Sequence, residues 1–251
     1  MKFSYSAVWA DAVALLRGNA SLLPTVAGVF LFLPALLVAY LLPQPEGAES
    51  FERLGQLWGE YAEANWPWLL VSRIVGMIGS IAILLLLFAR GITVGGAIAA
   101  ALALLPAYFI ASLLQTVGIV FGLLLLVIPG LYLMGRLGPL NSVVVAEGHR
   151  NPIAALGRCW ALTKGHGWAI LGLILIIGIA AAIVVAVASN LLGILFVLVA
   201  GQDFGRLLAL IVATAGNAAM MTLLLVLSAA IYRQLGGEKS AAPAASAPTV
   251  D

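Results

Sequence analysis

Residues 129–168, PGLYLMGRLGPLNSVVVAEGHRNPIAALGRCWALTKGHGW, decide how this chain is organised, because they join apolar segments through a basic connector. Pro129 and Gly130 can break the apolar segment that ends at Ile128, so we expect two membrane passes to meet there with almost no loop. Arg136 lies inside the next apolar run, where an uncompensated charge near the bilayer centre costs at least about 2.5 kcal/mol. The sequence therefore predicts that Arg136 contacts carbonyl groups, water or a lipid phosphate.

A short helix is expected in the connector that follows this run. Asn151 is a typical N-cap, Pro152 suits the first helical position, and Gly165 can end the helix after Lys164. Four residues fall on one side of this helix: Ile153, Leu156, Trp160 and Thr163. This apolar side predicts a helix that lies on the membrane surface or under the bundle.

Two further residues of this helix are informative. Cys159 lies at the edge of the apolar side, next to Trp160, whereas Arg158 points away from it. We therefore predict that Cys159 is partly buried and that Trp160 is the largest buried anchor of the helix.

Several pieces of this stretch resemble a known family. They are VVVAEG at 143–148, LTKG at 162–165, and the single residues Ala155, Leu156, Arg158, Trp160 and Trp168. Together they resemble the membrane domain attached to some glycerophosphoryl diester phosphodiesterases, and they are similar to the YciC-like family of uncharacterised bacterial inner-membrane proteins. The resemblance implies a multi-pass fold in a bacterial inner membrane. It implies no chemistry, because the catalytic part of those enzymes is a separate soluble domain, and Cys159 stands where the family usually carries serine.

The composition of the whole chain indicates an integral membrane protein with an all-α fold. Of its 251 residues, 63% are hydrophobic and 9% are charged, whereas about a quarter are charged in soluble proteins. One cysteine excludes an internal disulfide and a cysteine cluster, and two histidines are too few for a histidine-built metal site. We therefore expect no cofactor and no metal. The expected partners are membrane lipids or another membrane or envelope protein, and not nucleic acid.

Hydropathy predicts about six membrane spans, because each needs about 20 largely apolar residues. They are residues 22–42, 67–88, 106–127, 131–146, 167–188 and 207–232. Pro106 is the expected break in the uncharged run 91–127, and residues 91–105 and 189–204 are either embedded or interfacial. Residues 1–235 then form one multi-pass domain, and the Ala, Pro and Ser content of residues 236–251 predicts a disordered cytoplasmic tail.

Two more amphipathic helices are expected at the interfaces. Near the N-terminus, one helical face carries Tyr5, Val8, Trp9, Ala12 and Leu16. In the acidic connector 43–66, a short helix is predicted from Phe51, Leu54, Leu57, Trp58 and Tyr61. The predicted interfacial residues are therefore Trp9, Trp160 and Cys159.

The basic residues predict the orientation, since six spans place both termini on one side. Eight lie on that side: Lys2, Arg17, Arg90, Arg150, Arg158, Lys164, Arg233 and Lys239. Only Arg53 and Arg206 lie opposite. By the positive-inside rule both termini are expected to be cytoplasmic, and the connector 43–66 to face the other side.

Few residues are candidates for a functional site, and no catalytic constellation is present in the sequence. The candidate anion-binding residues are Arg136, Arg158 and Lys164, although Arg136 alternatively caps broken helices around Pro129. Arg73 is expected to extend its side chain to the interface. Interhelical hydrogen bonds account for Gln115, Asn141, Asn217 and Thr222, and loop solvation accounts for Glu147, His149 and His166.

Three classes of function are compatible with these patterns. The first is a non-catalytic module of the inner membrane that binds lipid or a partner protein, which the resemblance and the interfacial helices favour. The second is a small transporter or channel, favoured by Arg136 and by a weak internal similarity between residues 14–19 and 161–166. The third is an enzyme of, or an accessory to, phospholipid or glycerophosphodiester metabolism.

Overall fold

The computed structural model describes residues 3–42, 44–45, 50–89 and 91–236, and every regular element within these ranges is a helix. The all-α prediction is therefore confirmed. The helices are α1 (Tyr5–Gly18), α2 (Leu22–Ala27), α3 (Leu33–Leu41), α4 (Phe51–Phe88), α5 (Val94–Leu125), α6 (Val127–Leu137), α7 (Leu140–Ala146), α8 (Pro152–Leu162), α9 (Gly167–Ala200) and α10 (Gln202–Gly236). The predictions that involve Lys2, Arg90, Lys239 and residues 237–251 lie outside the described residues.

Five stretches among the described residues are long and apolar enough to cross a membrane, so the chain is a multi-pass membrane protein. They are Leu22–Leu41, Glu52–Phe88, Val94–Leu125, Gly167–Ala200 and Gln202–Gly236. The first contains a π-helical segment, Gly28–Phe32, between α2 and α3. Pro34 follows this segment at the start of α3 and has no amide hydrogen to donate.

The helix α4 merges two predicted elements. The short helix expected in the acidic connector and the span expected at 67–88 form one helix of 38 residues. The hydroxyl of Ser50 accepts a hydrogen bond from the Arg53 amide and so caps its first turn, and Pro67 lies inside it. Proline removes one backbone hydrogen bond and crowds the carbonyl four residues earlier, but α4 continues through Pro67.

The boundary predicted at Pro106 is wrong, because α5 is one helix from Val94 to Leu125. Residues 94–105 therefore belong to this long helix and form no separate element. Residues 189–204 were likewise expected to be a short separate piece, but α9 continues to Ala200. The chain then turns at Gly201, whose φ of +82° favours glycine, and α10 returns against α9 as an antiparallel hairpin.

The span predicted at residues 131–146 is instead two short helices, α6 and α7, which meet at Gly138 and Pro139. The chain breaks at the extended residue Leu126 and not at Pro129, which lies in the first turn of α6. Proline is tolerated there because a first-turn amide has no acceptor within its helix. The carbonyl of Gly138 accepts a hydrogen bond from the Ser228 hydroxyl of α10 over 3.3 Å, which stabilises the break.

The last turns of α10 form one end of the bundle together with α1, α4 and α7. Arg233 lies 3.4 Å from the Asp11 carboxylate, and the Gln234 amide donates to the Ser4 carbonyl. The Tyr232 ring packs edge-on against Phe88, the last residue of α4. The helix α1 buries Val8, Ala12 and Leu15 on this end, and Trp9 is exposed.

Candidate anion-binding site

Arg136 occupies the last turn of α6 and is only 3% exposed. Its Nη1 donates to the Tyr132 hydroxyl over 3.3 Å, and its Nη2 donates to the backbone carbonyl of Trp160. The guanidinium carbon lies 4.0 Å from the centre of the Trp160 ring and 5.8 Å from that of Tyr132. The cation is therefore enclosed by two aromatic rings and a helix carbonyl, a cation–π arrangement that contributes about 2 kcal/mol when desolvated.

The positive charge of Arg136 is not neutralised within the described part of the chain. None of the carboxylates described there forms a salt bridge with it. Its Nε is buried and has no hydrogen-bond partner among the described residues. The expected carbonyl contact is present, but it comes from α8, so Arg136 does not cap the break near Pro129 as the alternative proposed. A buried cation with a free donor is chemically suited to an anion.

The helix α8 begins as predicted. The side chain of Asn151 accepts hydrogen bonds from the amides of Ile153 and Ala154, and Pro152 is the first helical residue. Gly165 follows with φ +80°, the left-handed conformation expected of a helix stop.

The buried side of α8 differs from the predicted one. It consists of Ala155, Cys159 and Thr163, each 0% exposed, while Ile153 is 72% exposed and Trp160 is 44% exposed. In a membrane protein the bulky apolar residues can face lipid, and small residues allow helices to approach closely. Of the four residues predicted on the apolar side, Thr163 is buried and Leu156 is half-buried against the core, whereas Ile153 and Trp160 are exposed.

Cys159 lies at the centre of this buried side and not at its edge. Its thiol lies 3.4 Å from the carbonyl oxygen of Arg136, which also accepts a hydrogen bond from the Thr163 hydroxyl at 3.0 Å. Burial raises the pKa of the Cys159 thiol to about 12. The predicted partial exposure is wrong, and the residue acts as a packed, protonated contact that fixes α8 on α6.

Two glycines allow α9 to start directly on Arg136. A Cβ added to Gly135 would collide with the carbonyl oxygen of Gly167 and lie 2.9 Å from the Cβ of Leu171. A Cβ added to Gly167 would lie 2.8 Å from both the Cδ of Arg136 and the ring of Tyr132. The first residue of α9 therefore packs on the aliphatic part of the Arg136 side chain.

The N-terminus of α9 opens into a groove of about 580 Å³. Its lining residues are Ile128, Pro129, Tyr132, Gly165, Gly167 and Trp168. His166 precedes the helix and its side chain forms no capping hydrogen bond. Lys164, which adjoins Gly165, is exposed. The groove therefore joins the uncapped start of α9 to Tyr132 and Gly167, which both contact the Arg136 side chain.

Glu147 is the centre of a second polar cluster, at the end of α7. Its carboxylate accepts hydrogen bonds from Arg158 Nε at 2.9 Å and from the Tyr232 hydroxyl at 3.1 Å, and it lies 2.9 Å from His149 Nε2. Burial alone would raise the pKa of Glu147, but the hydrogen bonds from Arg158, His149 and Tyr232 outweigh it and hold this pKa below its ordinary value. Glu147 and His149 are therefore structural groups and not solvated loop residues, and Arg158 is already paired.

Hydrogen bonds within the protein explain the other polar residues of the membrane helices. Gln115 donates to the Leu137 carbonyl and Asn141 accepts from Ser112, so the interhelical prediction is confirmed for both. Asn217 and Thr222 instead donate to carbonyls of their own helix. Arg73 is exposed on α4. Within the described ranges no three His, Cys, Asp or Glu residues are grouped so as to hold a metal.

The sequence reasoning missed four residues of the site: Tyr132, Gly135, Gly167 and Trp168. Tyr132 could have been found, since it lies four residues before Arg136 and therefore on the same helical face. The glycines could not, because their role depends on how α6 meets α9. Comparison of the chain with protein-family models, with curated proteins and with solved structures found no match.

Proposed function

We propose that this chain is a non-catalytic membrane module that binds a membrane lipid at the site formed by α6, α8 and the start of α9. The observation that carries the proposal is Arg136, a buried cation without a carboxylate partner in the described chain and with a free Nε. Burying a charge costs several kcal/mol, and aromatic rings and carbonyls offset only part of that cost. An anionic ligand would offset more of it.

The surroundings of the site favour a lipid over a water-soluble ligand. The groove beside Arg136 is lined by Ile128 and Trp168, which are 68% and 54% exposed. An acyl chain or glycerol backbone would cover these apolar surfaces while a polar headgroup reached the basic end of the groove. Trp168 suits the boundary between the two, because its ring combines an apolar body with a polar N–H.

We also propose that the membrane is a bacterial inner membrane, that both termini face the cytoplasm, and that the chain is related to the membrane domain of glycerophosphoryl diester phosphodiesterases and to YciC-like proteins. Three facts support this. The helix α1 packs on the end of α10, exposed Arg17 and Lys164 add to the basic character predicted for that side, and the residues that carry the resemblance include Trp160 and Trp168 of the site.

The test is native mass spectrometry of the full chain released from its own membrane. We expect one tightly held lipid per chain, and we expect Arg136→Gln to lose it. Arg73→Gln is the matched control, because it removes an exposed arginine from another membrane helix. Absence of any retained lipid, or equal retention by both variants, would refute the proposed lipid site.

A further inference from the structure

The first turn of α9 has three backbone amides without acceptors in their own helix, those of Gly167, Trp168 and Ala169. The α9 helix is 34 residues long, and no side chain caps it. Amides at the start of such a helix bind anions, because the helix dipole adds a partial positive charge there. Gly167 and Trp168 line the groove together with Tyr132.

A second observation points to the same place. The side chain of Arg136 is 97% buried, given its exposure of 3%, and its Nε has no partner among the described residues. This nitrogen is bonded to Cδ, the atom that packs on Gly167 at the start of α9. The side chain of this unpaired cation therefore packs against the first residue of α9, and the exposed Lys164 lies three residues before that residue in the sequence.

We propose that these groups form a seat for a phosphate ester, and that the phosphate belongs to the headgroup of an anionic phospholipid. The α9 amides would hold the phosphate oxygens, Lys164 would pair with them from the solvent side, and Arg136 would supply the buried counter-charge. The apolar wall at Ile128 and Pro129 would lie along the acyl chains. This inference rests on the proposed function and adds the chemical group and its position.

A substitution within the chain can block this phosphate site. Asp at position 166 would place a carboxylate at the N-cap of α9, where it would accept hydrogen bonds from the free amides and favour the helix. The variant His166→Asp should therefore fold at least as well as wild type and lose about tenfold in lipid affinity. Ser21→Asp is the matched control, since Ser21 is exposed and precedes α2 without forming a side-chain cap.

The experiment uses the full chain in neutral detergent, with bound lipid counted by native mass spectrometry. The added probes are phosphatidylglycerol, phosphatidylcholine and diacylglycerol, and inorganic phosphate is the soluble competitor. We expect phosphatidylglycerol to be retained most and diacylglycerol least, with inorganic phosphate failing to displace the lipid. His166→Asp and Lys164→Gln should weaken phosphatidylglycerol retention, while Ser21→Asp should not.

The outcomes separate the two proposals. Retention of all three lipids to the same extent, or no effect of His166→Asp, overturns the phosphate seat while the lipid-binding function stands. Displacement by inorganic phosphate overturns the lipid source of the phosphate. Failure of the wild-type chain to retain any lipid overturns both proposals.

Discussion

Arg158 of α8 and Arg136 of α6 have different electrostatic surroundings. Arg158 is 42% exposed and forms an ion pair with Glu147 at 2.9 Å. Arg136 is 3% exposed and has aromatic rings, a carbonyl and a hydroxyl around it, but no carboxylate within the described residues. Both were candidates for anion binding from the sequence. A paired arginine is therefore structural, whereas an arginine without a carboxylate partner is available to a ligand.

The two regions are also held together differently. Close backbone contact between Gly135 and Gly167 assembles the Arg136 region. The Glu147 region depends on hydrogen bonds between side chains of α7, α8 and α10. The first should therefore be sensitive to added volume, and the second to lost charge.

The largest expected effect is that of Gly135→Ala. The new methyl group would collide with the Gly167 carbonyl and Leu171, and since backbone cannot move away easily we expect a loss of about 3 kcal/mol in unfolding free energy. Unfolding by sodium dodecyl sulfate, followed by circular dichroism, measures it. Gly157→Ala is the control, because nothing lies within 4 Å of a Cβ there and alanine favours a helix by up to about 1 kcal/mol. Similar stability of the two variants would contradict the close contact of α6 with α9.

Glu147→Gln is expected to cost about 2 kcal/mol, because it removes hydrogen bonds to a charged acceptor that is only 14% exposed. Glu63→Gln, on the exposed side of α4, should change the unfolding free energy by less than about 0.5 kcal/mol. The same unfolding titration compares them. If Glu147→Gln changed the unfolding free energy as little as Glu63→Gln, the Glu147 cluster would not stabilise the fold.

The pH dependence of stability should report the same cluster with a smaller effect. The pKa of Glu147 is lowered in the folded chain from its ordinary 4.5, so the unfolded chain binds the proton first. Its stabilisation is therefore fully present above pH 4.5 and is lost as the pH falls through the folded pKa. The stability difference between wild type and Glu147→Gln should shrink on acidification in this range. A difference that stays constant from neutral pH to about pH 3 would show that Glu147 is not the titrating group.

Local signals in the sequence predicted the parts of the fold that depend on neighbouring residues. Asn151 and Pro152 start α8, Gly165 follows its end, and the apolar runs correspond to long helices. Pro106 was wrongly predicted to end a helix, and both it and Pro67 lie inside long helices. A single lost hydrogen bond does not end a helix whose neighbours pack along it.

The candidate site could be predicted only in part. Arg136 was identified because a charge inside an apolar run is costly and therefore meaningful. The buried side of α8 was not, because Ala155 and Cys159 carry less hydrophobic surface than Ile153 and Trp160. In a bilayer, the size of an apolar side chain does not show whether it faces the interior of the bundle or the lipid. The partners of Arg136 come from three helices, and apart from Tyr132, which lies four residues before it, no sequence spacing connects them.

The rate at which Cys159 is labelled shows how firmly α8 is docked, and the expected change is the smallest of the predicted effects. It is 0% exposed, and burial raises its pKa to about 12, so a maleimide should react only when the helix opens. Trp160→Ala removes the ring that stacks on Arg136, which contributes about 1 kcal/mol to the docked state and should speed labelling about fivefold. Arg158→Gln disturbs only a partly exposed ion pair, so we expect less than about a twofold change. Labelling of native wild type as fast as that of chain unfolded in sodium dodecyl sulfate would show that α8 is not docked, and the enclosure of Arg136 by Trp160 would then fail with it.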